Sequence, residues 1–109
     1  MGKFEIKKTK SGKCKFDLKA SNGQVILSSQ SYKSMTGCHN GINSVKVNAK
    51  DDNRYDRLTA KDGSPYFNLK AKNGQIIGTS EMYSNTAGME NGIASVKKNA
   101  ADATIDHKS

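Results

Sequence analysis

FDLKASNGQVILSSQSYKSMTGCHNGINSVKVNA, residues Phe16 to Ala49, returns 51 residues later as FNLKAKNGQIIGTSEMYSNTAGMENGIASVKKNA, residues Phe67 to Ala100. Nineteen of the 34 aligned positions are identical and no gap is needed, so the chain carries an internal duplication. The match extends weakly backwards, with Phe4 opposite Tyr55, Lys10 opposite Lys61 and Gly12 opposite Gly63. The two copies span about 4–52 and 55–105 of a 109-residue chain. A unit of roughly 50 residues buries too little surface to be comfortably stable alone, so one shared core and a single compact domain over 1–109 are expected.

Each copy reads as strands first and a helix last. Phe16, Leu18 and Ala20 alternate with Lys15, Asp17 and Lys19, the period-two pattern of a strand wet on one side, and Phe67, Leu69 and Ala71 repeat it. Phe4, Ile6 and Lys8 share one face of an earlier strand. Asn22-Gly23 and Asn73-Gly74 supply the positive backbone φ that hairpin turns demand, and VILSS and IIGTS follow as third strands. The period then changes. Cys38, Ile42, Val45 and Ala49 recur at helical spacing, as do Met89, Ile93, Val96 and Ala100, with Ser34 and Asn85 placed as N-caps.

Gly37, Gly41, Gly88 and Gly92 would each cost about 1 kcal/mol relative to Ala inside a helix, which implies a late helix start or close packing on the sheet. The repeated Asn, Gly and Ser along one helix side (Asn40, Gly41, Ser44; Asn91, Gly92, Ser95) are read as packing rather than as a ligand site. Tyr32 and Tyr83 are expected to seal the strand-to-helix junctions. After each helix comes a further segment, NRYDRLT (Asn53 to Thr59) and ATIDHK (Ala103 to Lys108). The expected fold is α+β: two tandem β-β-β-α(-β) repeats forming one antiparallel sheet, two helices on one face, and post-helix strands exchanged between copies.

The twice-occurring F-x-L-K-A-x-N-G-x-x-I, the S-x-x-Y at Ser29 to Tyr32 and Ser80 to Tyr83, and the closing N-G-I-x-S-V-K-x-N-A resemble the YegP-like family of small bacterial proteins of unknown function. The resemblance covers nearly the whole chain. It implies a unit of three strands, a helix and an exchanged strand, and it brings no activity and no catalytic residues.

The remaining chemistry is sparse. Cys14 and Cys38 align with Pro65 and Met89, so they belong to no repeated device and are expected as free buried thiols. Cys14, Cys38, His39 and His107 lack the spacing of a metal site, and the neighbours Cys38 and His39 point apart on a helix rather than forming a nucleophile pair. Asp51, Asp52 and Asp102 read as solvated loop acids. No cofactor is expected. The longest apolar run, Val25 to Leu27, is far short of a membrane span, and the first residues lack the apolar stretch of a secretory signal, so a cytoplasmic protein without membrane contact is expected.

The formal charge of +8 is the functional lead, but it is uneven. Residues 1–51 hold ten Lys and three acids, whereas residues 52–109 hold eight Lys or Arg and seven acids. The expected function is that of a small non-catalytic binding or interaction module with a macromolecular partner, monomeric, its two repeats acting as a pseudo-dimer. An alternative is weak RNA or single-stranded DNA binding through a lysine-rich strand face at Lys7, Lys15 and Lys19. A further alternative is an enzyme with a site between the repeats, drawing on Tyr32, Tyr83, Cys38 or His39.

Overall fold

A computed structural model describes residues 2–107, with the side chain of His107 left aside. The strands β1 (Lys3–Lys8), β2 (Cys14–Lys19) and β3 (Val25–Ser29) lead into helix α1 (Met35–Asn48). A short 3₁₀ turn at Asp52–Arg54 links to the second copy, which runs β4 (Tyr55–Thr59), β5 (Pro65–Lys70), β6 (Ile76–Thr79) and α2 (Thr86–Ala100) before β7 (Thr104–His107). All seven strands form one sheet in the order β4-β5-β6-β3-β2-β1-β7.

Alternation decides which face is dry. Phe4 and Ile6 of β1, Phe16 and Leu18 of β2, Leu27 of β3, Tyr55 of β4, and Phe67 and Leu69 of β5 turn to one face and are buried. They meet Cys38, Ile42, Val45 and Ala49 of α1 and Met89, Ile93, Val96 and Ala100 of α2 in a single core. The helices do not stay on their own copies. α1 lies over β2 but also over β5 and β6, and α2 lies over β5 but also over β2 and β3. The caps are those read from the sequence: the Ser34 hydroxyl accepts from the Gly37 N–H at 3.2 Å and the Asn85 side chain accepts from the Gly88 N–H at 2.7 Å.

The hairpins use less left-handed backbone than an Asn-Gly pair allows. Only the glycines have positive φ, Gly23 at 85° and Gly74 at 88°; Asn22 and Asn73 instead accept the N–H of Gln24 and Gln75 on their side-chain oxygens, 3.0 Å in each case. Each hairpin also carries a β-bulge, between Leu18 and Lys19 and between Leu69 and Lys70.

One expectation needs correction: the sheet is not wholly antiparallel. β7 pairs with β1 in parallel, Lys3 opposite Thr104 through Ile6 opposite His107. The cause is where α2 ends. Asn99 sits against Gly2, so closely that a Cβ on Gly2 would lie 2.9 Å from the Cβ of Asn99. A chain leaving α2 therefore enters the sheet at the start of β1 and runs alongside it. β7 thus crosses to the first copy, as expected of an exchanged strand, while β4 pairs with β5 of the second copy.

The copies join at β3 and β6, which pair through Ser28 with Thr79 and Ser29 with Gly78. Leu27 and Gly78 are equivalent positions in the duplication. A Cβ on Gly78 would meet Leu27 Cγ at 2.7 Å. Two leucines cannot occupy that seam, and the second copy carries glycine there. Gly78→Leu should lower stability by about 2 kcal/mol or more through overpacking, and adding Leu27→Gly to the same chain should recover part of the loss, as read from urea unfolding midpoints.

Candidate ligand grooves at the repeat junction

The bare face of the sheet holds the lysines singled out in the sequence. Lys7 pairs with Asp17 at 3.1 Å and Lys19 with Glu5 at 2.9 Å, and Asp17 also accepts from the Ser28 hydroxyl at 2.8 Å. Both carboxylates are buried beneath these side chains. Lys15 stands opposite Lys7 in the register and has no ion-pair partner among the described residues. Two of the three candidate nucleic-acid lysines are thus occupied in holding buried acids, because a buried carboxylate is costly unless paired. The hydrogen bond from Lys19 holds the Glu5 carboxyl below the usual range, against the burial that would raise it, with Lys3 adding to the effect. A depressed carboxylate contributes stability above its ordinary titration range and loses it as pH falls through the folded value. Glu5→Gln should therefore flatten the fall in melting temperature between about pH 5 and pH 3 relative to the parent chain.

The thiols offer no reactive centre. Cys14 and Cys38 are both buried, and burial, with Cys14 as neighbour, pushes the Cys38 thiol up to about 11. It stays protonated at neutral pH, and thiols of that kind are poor nucleophiles. Asp52, read from the sequence as a solvated acid, accepts from both Lys97 and Arg57, and Arg57 also holds Glu90 of α2. This exposed cluster ties β4 to α2.

The helix glycines resolve as close packing. Tyr32 stacks on Phe16 with ring centroids 6.2 Å apart and runs under α1, where a Cβ on Gly41 would lie 2.5 Å from its hydroxyl oxygen and 2.9 Å from the Phe16 ring. Tyr83, Phe67 and Gly92 repeat the arrangement. Gly41 and Gly92 let each helix settle onto a tyrosine. Ser44 and Ser95 also act locally, since their carbonyl and hydroxyl oxygens accept from the side-chain amides of Asn48 and Asn99.

Packing does not account for everything repeated. Between Phe16 and Ala49 twelve positions are exposed, and only four of them, Asn22, Gly23, Gln24 and Asn40, keep their residue in the second copy. Turn geometry explains Asn22 and Gly23. The side chains of Gln24 and Asn40, with their counterparts Gln75 and Asn91, form no hydrogen bond or ion pair among the described residues, yet they converge on two equivalent grooves. In the first, of about 370 Å³, Asn40, Gly41 and Ser44 of α1 form one wall and Asn73, Gln75 and Ile77 of the other copy's hairpin form the second, with Tyr32 below. In the second, of about 270 Å³, Asn91, Gly92 and Ser95 of α2 face Asn22, Gln24 and Ile26, with Tyr83 below.

Gly37, Gly88, Ala71 and Ala20 complete the two linings, and every lining position has the same residue in its counterpart. The linings carry no ionised side chain. Burial raises the pKa of both tyrosine hydroxyls, with neighbouring Cys38 adding at Tyr32 and the Glu81 charge adding at Tyr83, so they remain neutral. The chemistry on offer is that of amides and hydroxyls. Linear spacing marks Asn40 and Asn91 as packing residues and Gln24 as part of a turn; the signal that locates the grooves is the retention of exposed polar residues between copies. Gly41→Ala should cost about 1–3 kcal/mol despite the better helix propensity of Ala, with Tyr32→Phe in the same chain restoring part of it.

The comparisons with known proteins agree with this architecture. A model of a domain of unknown function, DUF1508, matches twice, at residues 9–56 and 60–106. The chain is 50% identical over 104 residues to a UPF0339 protein encoded in the ptx operon 5' region of Stutzerimonas stutzeri, covering 95% of this chain and 94% of that one. It is 47% identical over 104 residues to the UPF0339 protein YegP of Escherichia coli, with the same coverage. The solution NMR structure of a UPF0339 protein from Shewanella oneidensis superposes with a TM-score of 0.92 at 50% identity, covering 97% of this chain and 90% of that one. That of E. coli yegP, described as a protein of unknown function, gives 0.93 at 46% identity, covering 98% and 92%. With its duplicated unit, its seven-stranded sheet and these relatives, the chain belongs to the YegP-like UPF0339 family, whose activity is uncharacterised.

Proposed function

We propose that the protein is a non-catalytic binding module that presents two equivalent grooves, each built from the helix of one repeat and the hairpin of the other. The observation that carries this reading is the pairing of Asn40 with Gln75, and of Asn91 with Gln24, on opposite walls: exposed residues kept in both copies although the fold does not use them. Their amide groups each offer a donor and an acceptor, and Tyr32 and Tyr83 give the floors an aromatic surface. A neutral lining favours an uncharged ligand group bearing amides or hydroxyls, because a charged one would be desolvated without a partner. The absence of an ionised group in the linings supports binding over proton transfer, and no helix among the described residues is long and apolar enough to cross a membrane.

The test is a ¹H–¹⁵N NMR titration with three probes: N,N'-diacetylchitobiose, a blocked neutral tetrapeptide and inorganic phosphate. A ligand of the expected class shifts the side-chain amides of Asn40 and Gln75 together with those of Asn91 and Gln24, with two sites per chain. Asn40→Ala with Gln75→Ala should abolish the response of the first groove and leave the second. Shifts caused by phosphate alone, or no response to either neutral probe at millimolar concentration, would reject the reading.

A further inference from the structure

The excess positive charge has a location that the linear sequence hides. Residues 6–50 hold nine lysines and one acid, Asp17, while the equivalent residues 57–101 hold six basic residues and three acids. Asp17 is already taken by Lys7 and Ser28. Lys8 ends β1, and Lys10 and Lys13 lie in the turn between β1 and β2, closed by the Thr9 N–H to Lys13 carbonyl bond at 2.7 Å. The backbone of Cys14 then pairs with Tyr32 through two hydrogen bonds, 2.8 and 2.6 Å, which brings Lys33 beside Lys13. Four lysines separated by up to 25 residues thus gather at one end of the sheet, where the N-terminus of α1 also opens.

All four are exposed, and none forms an ion pair among the described residues. The equivalent positions in the second copy are Thr59, Lys61, Ser64 and Ser84, a single cation. The first repeat carries a feature that the second lacks and that the paired grooves do not use.

We propose that this end of the first repeat, Lys8, Lys10, Lys13 and Lys33, is a docking surface for the phosphate backbone of nucleic acid. Unpaired ammonium groups on flexible stems suit phosphates as point charges, and the absence of arginine in the cluster removes the bidentate fork that reads bases. Binding is therefore independent of sequence, and its affinity falls with salt as the release of counterions becomes less favourable. The surface shares no residue with the grooves, so its test is independent of theirs.

Fluorescence anisotropy with a labelled single-stranded RNA and a labelled DNA duplex, from about 50 to 200 mM salt, tests it. Three or four phosphate contacts give a log–log slope of about −3 on the duplex and about −2 to −3 on the single strand, hence a loss of affinity of about 40- to 150-fold and about 20- to 50-fold respectively over that range. Replacing Lys10, Lys13 and Lys33 by Ser should reduce the slope magnitude by about 2 on the single strand and nearly 3 on the duplex and weaken binding at least tenfold at the low salt. A control with Lys50, Lys61 and Lys72 replaced by Ser has the same net charge and should retain most of the binding. Equal weakening in both triple variants, absence of binding at about 50 mM salt, or preferential capture by phosphatidylglycerol–phosphatidylcholine vesicles would overturn the proposal; circular dichroism confirms that each variant is folded.

Discussion

The seam between β3 and β6 governs this molecule. Two copies of one sequence meet there with two residue pairs in register, and the equivalent positions 27 and 78 approach the same point in the core. Interiors are packed densely enough that a second leucine has nowhere to go. The two copies are therefore asymmetric at their axis. Leu27 fills the space, Gly78 yields it, and the sheet continues from one repeat into the other without a break.

Once the sheets are continuous, each helix covers strands of both copies, and the grooves follow. A helix resting on Tyr32 or Tyr83 through Gly41 or Gly92 lies low enough for its polar edge to face the neighbouring hairpin. That edge carries Asn40 or Asn91, and the hairpin carries Gln75 or Gln24. Neither repeat holds a complete groove alone. The same close packing that costs helix propensity at the glycines thus creates walls that the two copies share.

Charge is arranged by a different logic on the bare side of the sheet. There Lys7 and Lys19 cover Asp17 and Glu5, and Lys70 pairs with Asp56 at 2.7 Å, so the face is a lattice of opposite charges rather than a cationic surface. Such a lattice stabilises chiefly by leaving no buried carboxylate unpaired. Lys8, Lys10, Lys13 and Lys33 stand apart from this lattice at the end of the first repeat, where none of the described acids pairs with them.

Much of the architecture was legible in the residues themselves: the duplication, the alternating strands from Phe16 and Phe67, the caps at Ser34 and Asn85, and the helix stripes ending at Ala49 and Ala100 all follow from local periodicity and local hydrogen bonding, which a linear pattern records. The parallel entry of β7 was not legible, since it depends on Asn99 meeting Gly2 across the whole chain. Nor were the grooves, because Asn40 and Gln75 belong to different repeats and only the reach of each helix across the seam brings them together. Linear pattern settled which faces are dry and which residues are spare. Which spare residues meet was left to the packed fold, since contacts between distant segments are fixed by packing at the axis and not by any local preference.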